Sequence, residues 1–510
     1  MNGAESLTAT ATAAGINVCF ANPGTTEIPL VRALDGTGGI RSILGLFEGV
    51  CTGAADGYGR MAGRPALTLL HLGPGLANGL ANLHNARRAR TPVVNLVGDQ
   101  ATYHLPHDAP LTSDIISLAR PVSGWVRSAS SAATLAAEGA EAIAAAQRGQ
   151  GATLIVPADC QWDPAGGPVA VPPPSAPERV AQRVIDDTAK VLRCTDQGVL
   201  LLGGTALSER GLRAAARAVA RTGWRLMRES FPARLERGGD LPSPNPLPYL
   251  PEQASRALAV GTALALAGAR APVAFFAYPG MPSSTVPTGM PVHLLAEPGD
   301  DVVEALERLA DCLGGGDPGT PTRPHPQPAT GPLTPESAGE TVAALQPEGA
   351  IVVEEGVSSG LSYTHAAPGA PRHTALGLTG GAIGQGLPCA TGAAVACPDR
   401  PVIALQADGS GMYTVQALWT QAREQLDVTT LIYANHRYRI LQFELLRAGA
   451  ERPGPASAGL TGLDNPRLDW VQIAEGMGVP AARATTAEDL AAQFYAALAD
   501  PGPHLIEMVL

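Results

Sequence analysis

Gln406-Ala407-Asp408-Gly409-Ser410 follows the short apolar run Val402–Leu405 with nothing between them. A second run, Val428–Tyr433, ends in Ala434-Asn435-His436. Asp408 and Asn435 stand 27 positions apart, room for one strand–helix–strand crossover, which sets both residues at one edge of a parallel sheet. Ligands on such sheets bind beyond the carboxyl ends of the strands, so residues just after strands carry the information.

Outward from this stretch the same theme repeats. Ala350–Val353 is a third apolar run in the C-terminal part. Val18–Ala21, Ala66–His71 and Val93–Val97 recur near the N-terminus, with helical stretches such as Ala77–Arg88 between them. In the middle, Gly198–Leu202 leads into Gly203-Gly204, and a helical stretch Arg213–Arg221 follows. Short apolar strands spaced by helices predict parallel sheets covered on both faces. Two Pro- and Gly-rich stretches, Asp163–Pro177 and Gly314–Pro335, read as linkers. The fold class is therefore α/β, with three doubly wound parallel-sheet domains at roughly 1–165, 180–312 and 335–510.

Composition narrows the function. Net charge is −11, which argues against nucleic acid or an anionic membrane as partner. Lys190 is the one lysine, and no Gly-rich loop accompanies it, which disfavours pyridoxal chemistry and a Walker-type phosphate loop. Seven scattered cysteines without Cys-x-x-Cys spacing fit a reducing compartment and argue against zinc. No signal peptide and no long apolar span is read, so a cytoplasmic protein is expected. Aromatics are only 4%, so the core must be built from small and aliphatic side chains.

The oxygen donors Asp408 and Asn435 suit Mg²⁺ bridging a diphosphate. Gly409 lets backbone approach the phosphates, and a helix expected to begin near Tyr413 aims its dipole at them. Asp408-Gly409-Ser410 followed by Asn435 resembles the motif of thiamine-diphosphate-dependent enzymes, usually Gly-Asp-Gly then Asn-Asn. Ala407 replaces the first Gly and Ala434 the first Asn; neither replaced residue supplies a ligand side chain in that family. The resemblance implies thiamine diphosphate and Mg²⁺ as cofactors. The metal ligands would be Asp408, Asn435 and the backbone carbonyl of Arg437, with Gly409, Ser410, Tyr413 and Tyr438 among the cofactor contacts.

Further segments extend the resemblance over the whole chain, toward acetolactate synthases and benzoylformate decarboxylases. Leu46-Phe47-Glu48-Gly49-Val50 resembles the family's glutamate segment, with Phe47 where His is common. A carboxyl at Glu48, hydrogen-bonded to the far nitrogen of the cofactor's aminopyrimidine, would shift that ring to its basic tautomer. Gly380-Gly381-Ala382-Ile383-Gly384 resembles the segment that bends the cofactor, with Ile383 as the bulky apolar residue and Gly381 beside it. Asn22-Pro23-Gly24-Thr25-Thr26-Glu27 resembles the benzoylformate decarboxylase loop, with Gly24 on the cofactor and Thr25 toward substrate. His71 matches an active-site histidine of that branch, a residue type that can donate or accept a proton.

The branch's second histidine, in the middle domain, has no counterpart in Phe275-Phe276-Ala277-Tyr278-Pro279, and Leu441 stands where pyruvate decarboxylases carry an acid. Fewer proton donors favour carboligation. The expectation is decarboxylation of a small 2-oxo acid with ligation to a carbonyl acceptor, by a homodimer or homotetramer whose sites are shared between chains. Alternatives are a non-ligating decarboxylase and a non-catalytic cofactor-binding relative. A nicotinamide or flavin oxidoreductase is a third: Gly73, Gly75 and Gly79 form only a weak fingerprint. FAD in the middle domain, as acetolactate synthases often carry, is left open because no motif requires it.

Overall fold

The computed structural model describes residues 1–319, 323–450 and 452–510; positions 320–322 of the second expected linker lie outside the described residues. The chain forms two compact units. One comprises Met1–Pro174, Pro326–Ala366 and Leu378–Leu510; the other comprises Ser175–His325 and Ala367–Gly377.

The strands, in chain order, are β1 Val18–Asn22, β2 Arg41–Leu44, β3 Ala66–Leu70, β4 Val93–Asp99, β5 Trp125–Ser128, β6 Gly151–Pro157, β7 Val199–Leu202, β8 Arg225–Arg228 and β9 Leu235–Arg237. There follow β10 Asn245–Pro246, β11 Leu264–Ala267, β12 Val292–Ala296, β13 Ile351–Glu355, β14 His373–Gly377, β15 Val402–Ala407, β16 Val428–Ala434, β17 Ala481–Ala484 and β18 His504–Val509. In the first unit β2-β1-β3-β4-β6-β5 form one parallel sheet. A second parallel sheet runs β17-β18-β16-β15-β13. In the other unit β10-β8-β7-β11-β12 are parallel, and β9 pairs antiparallel with β14. The expected three-sheet α/β architecture is thus present.

Local sequence explains these elements. Strands β3, β4 and β7 are buried along their whole length, as strands covered on both faces must be. Period-2 alternation sorts their side chains: Leu67 and Leu69 join one core cluster, Ala66 and Leu70 the opposite one. Helices cover both faces largely with alanine, so backbones approach closely.

The tightest approach is between the helices Glu48–Ala62 and Gly386–Ala396. A Cβ on Gly57 would lie 2.0 Å from the carbonyl oxygen of Cys389, and one on Gly392 would lie 1.8 Å from that of Ala54. Glycine is required at both positions because a side chain has no room, a packing constraint rather than a turn constraint. Beside this crossing, Arg60 and Asp56 form a fully buried ion pair, completed by Thr91 Oγ1 at 2.6 Å from Asp56. Two fully paired charges avoid the cost of a lone buried one. Among the described residues no helix is long and apolar enough to cross a membrane.

Candidate active site

The loops after β1, β2 and β3 converge at the carboxyl edge of the first sheet. Glu48 is the first residue of its helix, where the dipole favours a carboxylate, and it is buried. Asn78 Nδ2 donates to its Oε2 at 2.9 Å. Gly75 separates it from His71: a Cβ there would lie 3.0 Å from Glu48 Oε1 and 3.4 Å from His71 Cβ.

His71 follows β3 and caps the helix Leu72–Ala89; its Nδ1 lies 2.8 Å from Oε2 of the fully buried Glu27. That carboxylate also accepts from the Gly24 N–H at 2.7 Å and from Thr26 Oγ1 at 2.6 Å. An ionised carboxylate only accepts, so Nδ1 donates and Nε2 is left to face outward. Gly24 and Gly98 make room for the pair, since a Cβ on either would strike the His71 ring or the Glu27 carboxylate. Thr25 is exposed, whereas Thr26 approaches His71 at 3.5 Å.

The loop after β4 reaches the same edge. Gln100 Nε2 donates to the Pro110 carbonyl at 3.1 Å, and Ser113 Oγ sits where a Cβ on Gly73 would go. Between these anchors stand His104 and His107, with ring centroids 5.7 Å apart.

At the edge of the last sheet, Ala407 and Tyr433 are register partners, so Asp408 and Asn435 begin adjacent loops as their spacing predicts. Asp408 is 1% exposed; its Oδ2 accepts from the His436 N–H at 2.6 Å and its Oδ1 from the Gly409 N–H at 2.7 Å. His436 adopts φ +54°, which turns that N–H toward the carboxylate. Asn435 Oδ1 accepts from the Arg437 N–H at 3.0 Å, and the Arg437 carbonyl from the Arg439 N–H at 3.0 Å.

These three donors are all oxygen, the set a hard cation such as Mg²⁺ takes. Burial raises the Asp408 carboxyl above its ordinary value, and the His436 imidazole, with Nδ1 at 3.9 Å, is itself held toward its neutral form by burial. A buried carboxylate so weakly compensated fits a metal cation. Gly409 packs on Tyr438, whose ring a Cβ would meet at 2.5 Å. Ser410 Oγ turns inward, accepting from Gln406 Nε2 and donating to the Ala407 carbonyl.

One expectation is corrected here. The helix expected near Tyr413 begins at Asp408 itself and lasts only to Gly411; Tyr413 lies in the following 3₁₀ turn and is exposed. The break after Ala407 places Asp408 at the first helical position, and the glycines that follow cannot sustain a long helix.

The Gly380–Gly386 segment is clasped by the helix that begins after His71. Asn85 bonds Ala382 through both amide atoms, Nδ2 to the carbonyl at 2.7 Å and Oδ1 to the N–H at 3.3 Å. Asn82 Nδ2 bridges the carbonyls of Gly49 and Gly384 at 2.8 and 3.3 Å, and His84 Nε2 lies 3.1 Å from the Gly380 carbonyl. Gly381 and Gly384 have φ of +75° and +94°, so the half-buried Ile383 is presented by a turn that requires glycine on both sides. From below, the buried Glu355 at the end of β13 accepts from the N–H groups of Gly384 and Gly386 at 2.7 and 2.5 Å. No hydrogen bond or ion pair among the described residues joins Glu48 to Asp408 or Asn435.

Glu27, Asn78, Asn82, Asn85, His104, His107 and Glu355 were not legible as site residues. Their partners lie 30 to 44 positions away for the Asn78–Glu48 and Glu27–His71 pairs. The one signal available is a place in the loop that follows a strand, shared by Glu27 and His104, each five positions beyond its strand end.

Two family models match the chain: "Thiamine pyrophosphate enzyme, N-terminal TPP binding domain" over residues 1–118, and the C-terminal TPP binding domain over residues 356–508. A Mycobacterium tuberculosis protein described as "Putative acetolactate synthase large subunit IlvX" is 54% identical across 100% of this chain and 99% of that protein. A benzoylformate decarboxylase of Pseudomonas aeruginosa is 30% identical over 97% of this chain and 96% of its own. Among solved structures, the thiamine diphosphate-dependent 4-hydroxybenzoylformate decarboxylase of Rhodococcus jostii RHA1 superposes with a TM-score of 0.87. Its identity is 25%, over 99% of this chain and 98% of that one.

Proposed function

Because the chain belongs to the thiamine pyrophosphate enzyme family, we propose that it decarboxylates a small 2-oxo acid and ligates the remaining carbon unit to a second carbonyl compound. The observation that carries this reading is the division of labour between the two sheet edges. A buried carboxyl, Glu48, and one carboxylate-paired imidazole, His71, stand at the first, and an all-oxygen cation site stands at the other. The three stretches 1–165, 180–312 and 335–510 take the roles of pyrimidine-binding, middle and diphosphate-binding domains.

Thiamine diphosphate, when bound, supplies the carbon acid that adds to the 2-oxo acid and accepts the electrons left as CO₂ departs. This chain's residues do the rest. Asp408, Asn435 and the Arg437 carbonyl would hold Mg²⁺, with Gly409 and Ser410 at the diphosphate and Tyr413, Tyr438, Gly24 and Gly381 flanking the cofactor. Ile383 would support its bend. Glu48 would present Oε1, the oxygen that Asn78 leaves free, to the aminopyrimidine of the cofactor. His71 presents Nε2 to substrate while Glu27 fixes the ring, and Thr25 contacts the substrate.

No hydrogen bond or ion pair among the described residues joins Asp408 to Glu48, and both edges expose large apolar side chains: Ile28, Leu46 and Leu111 at the first, Met412, Leu361 and Leu441 at the other. A homodimer that sets one edge against the partner's other edge, or a tetramer of two such dimers, answers both facts; light scattering on the active holoenzyme tests it, and an active monomer excludes it. The seven free thiols suit a reducing cytoplasm. The reading includes no flavin: in the middle sheet the Gly204 N–H is already taken by Glu229 Oε1 at 3.1 Å, and a visible spectrum of purified protein tests that.

A second reading, decarboxylation without ligation, is favoured by His104 and His107, which add proton donors to the first edge. Product analysis with ¹³C-labelled pyruvate, alone and with aldehyde or oxo-acid acceptors, separates the two. Free aldehyde as the only product across acceptors overturns ligation.

A further inference from the structure

The stretch that presents Ile383, Gly380-Gly381-Ala382-Ile383-Gly384, is rich in glycine, with Gly381 and Gly384 at positive φ. Glycine widens backbone freedom, so Ile383 keeps one position only if the stretch is tied down at its middle and at both ends. Asn85 ties the middle, at Ala382. The ends are Thr379 and Gln385, and one side chain meets both: the guanidinium of Arg60, 319 positions before Thr379.

Arg60 lies in the last turn of the helix Glu48–Ala62, and its side chain is 1% exposed. Its Nε and Nη2 hold the two Asp56 oxygens at 2.9 and 2.6 Å. Nη2 also donates to Thr379 Oγ1 at 3.1 Å, and that hydroxyl donates onward to the Asn85 carbonyl at 2.8 Å. Gln385, itself buried, meets the same ion pair in either orientation of its amide. Its oxygen accepts from Arg60 Nη1 and Nη2 at 3.1 and 3.0 Å, or its nitrogen donates to Asp56 Oδ2 at 3.3 Å.

A buried ion pair by itself needs only its two members, and taking both charges out of water offsets most of their attraction. Here the donors left over after Asp56 is satisfied go to the two ends of one turn. A lysine could neutralise Asp56, but its compact ammonium lacks the planar fork that spans several acceptors.

We propose that Arg60 is a positioning residue that clamps both ends of the 380–384 turn and so fixes Ile383 where the bound cofactor is bent. Asp56 and Thr91 in turn hold the guanidinium. The inference rests on Ile383 supporting the bend that brings the aminopyrimidine toward C2.

Hydrogen–deuterium exchange on the full-length protein without cofactor reads the turn directly. Thr379→Val combined with Gln385→Leu breaks both end links and leaves the Arg60–Asp56 pair intact. Arg60→Lys keeps the charge and loses the span; the first variant decides if the lysine variant does not fold. Amides of residues 380–386 should exchange about tenfold faster at an unchanged melting temperature. With thiamine diphosphate and Mg²⁺ saturating, exchange of the C2 proton should slow about tenfold. In an Ile383→Ala background the same changes should alter it less than about twofold, because coupled residues are not additive. Unmoved 380–386 amides, acceleration spread over the whole chain, or equal slowing in both backgrounds overturns the clamp and leaves Ile383 its role. Wild-type C2 exchange in Ile383→Ala alone removes that role, and the clamp with it.

Discussion

At the edge of the first sheet the carboxylates are held chiefly by side chains, Glu48 by the amide of Asn78 and Glu27 by the His71 imidazole and Thr26 hydroxyl beside one backbone N–H from Gly24; at the edge of the last, Asp408 and Glu355 are held by backbone N–H groups. Side-chain partners can exchange protons or reorient, while backbone donors are fixed dipoles. The first edge is therefore suited to proton movement and the second to holding charge still. The contrast also bears on tolerance to mutation: a backbone-held carboxylate loses its place only when it is itself replaced, but a side-chain pair can be broken from either member.

The comparison breaks most sharply at Glu48. Glu48→Gln should leave cofactor affinity near wild type and slow exchange of the cofactor's C2 proton by about 10²–10⁴, measured by NMR; wild-type exchange would remove Glu48 from the chemistry. Next, Asp408→Ala should weaken Mg²⁺-dependent thiamine diphosphate binding by more than about 100-fold, beyond the range outer-shell partners carry. Calorimetry decides, and unchanged affinity would falsify the cation site. Glu27→Gln keeps a hydrogen-bond acceptor beside His71 but removes its charge. Turnover should fall by roughly tenfold while cofactor affinity holds, which steady-state kinetics and calorimetry together can resolve. An equal loss in both would mean that Glu27 serves packing alone.

The smallest effect is expected outside both edges, at Glu229, a carboxylate held by the Gly204 N–H and pushed by burial up to about 7. A raised carboxyl favours the folded state below the ordinary carboxylate range, and that contribution is lost as pH rises toward 7. Glu229→Gln should therefore raise Tm by about 2–4 °C at pH 8 and leave it unchanged or lower at pH 5. An equal shift at both values would exclude a titration effect.

The same contrast explains what the sequence disclosed. The backbone-held edge leaves marks in the chain itself: Asp408 directly after an apolar strand, Asn435 one crossover later, and glycines where Gly381 and Gly384 take positive φ. Three sheets were legible for the same reason, because wholly buried strands such as β3 and β7 read as continuous apolar runs. The side-chain-held edge leaves few marks. Glu48 could be found by its segment, but Glu27 is a working carboxylate only because the fold carries His71 to it from 44 positions away. Glu355 was hidden in the same way, since an acid ending a strand is ordinary until a glycine turn folds onto it. The helix begins five residues before Tyr413, because the chain turns directly after β15 and Asp408 takes the first helical position.

Gly57 and Gly392 press their helices together so closely that neither can slide past the other by even one methyl group. Glu48 begins one of those helices and the Glu355-held turn begins the other, so the buried carboxyl and the Ile383 turn are held as parts of a single girder. The Gln100–Ser113 arch, by contrast, meets its surroundings through single contacts, Gln100 to the Pro110 carbonyl and Ser113 beside Gly73. For a protein engineer this divides the molecule into a chassis where even alanine is forbidden and a surface arch whose largely exposed side chains have room to change.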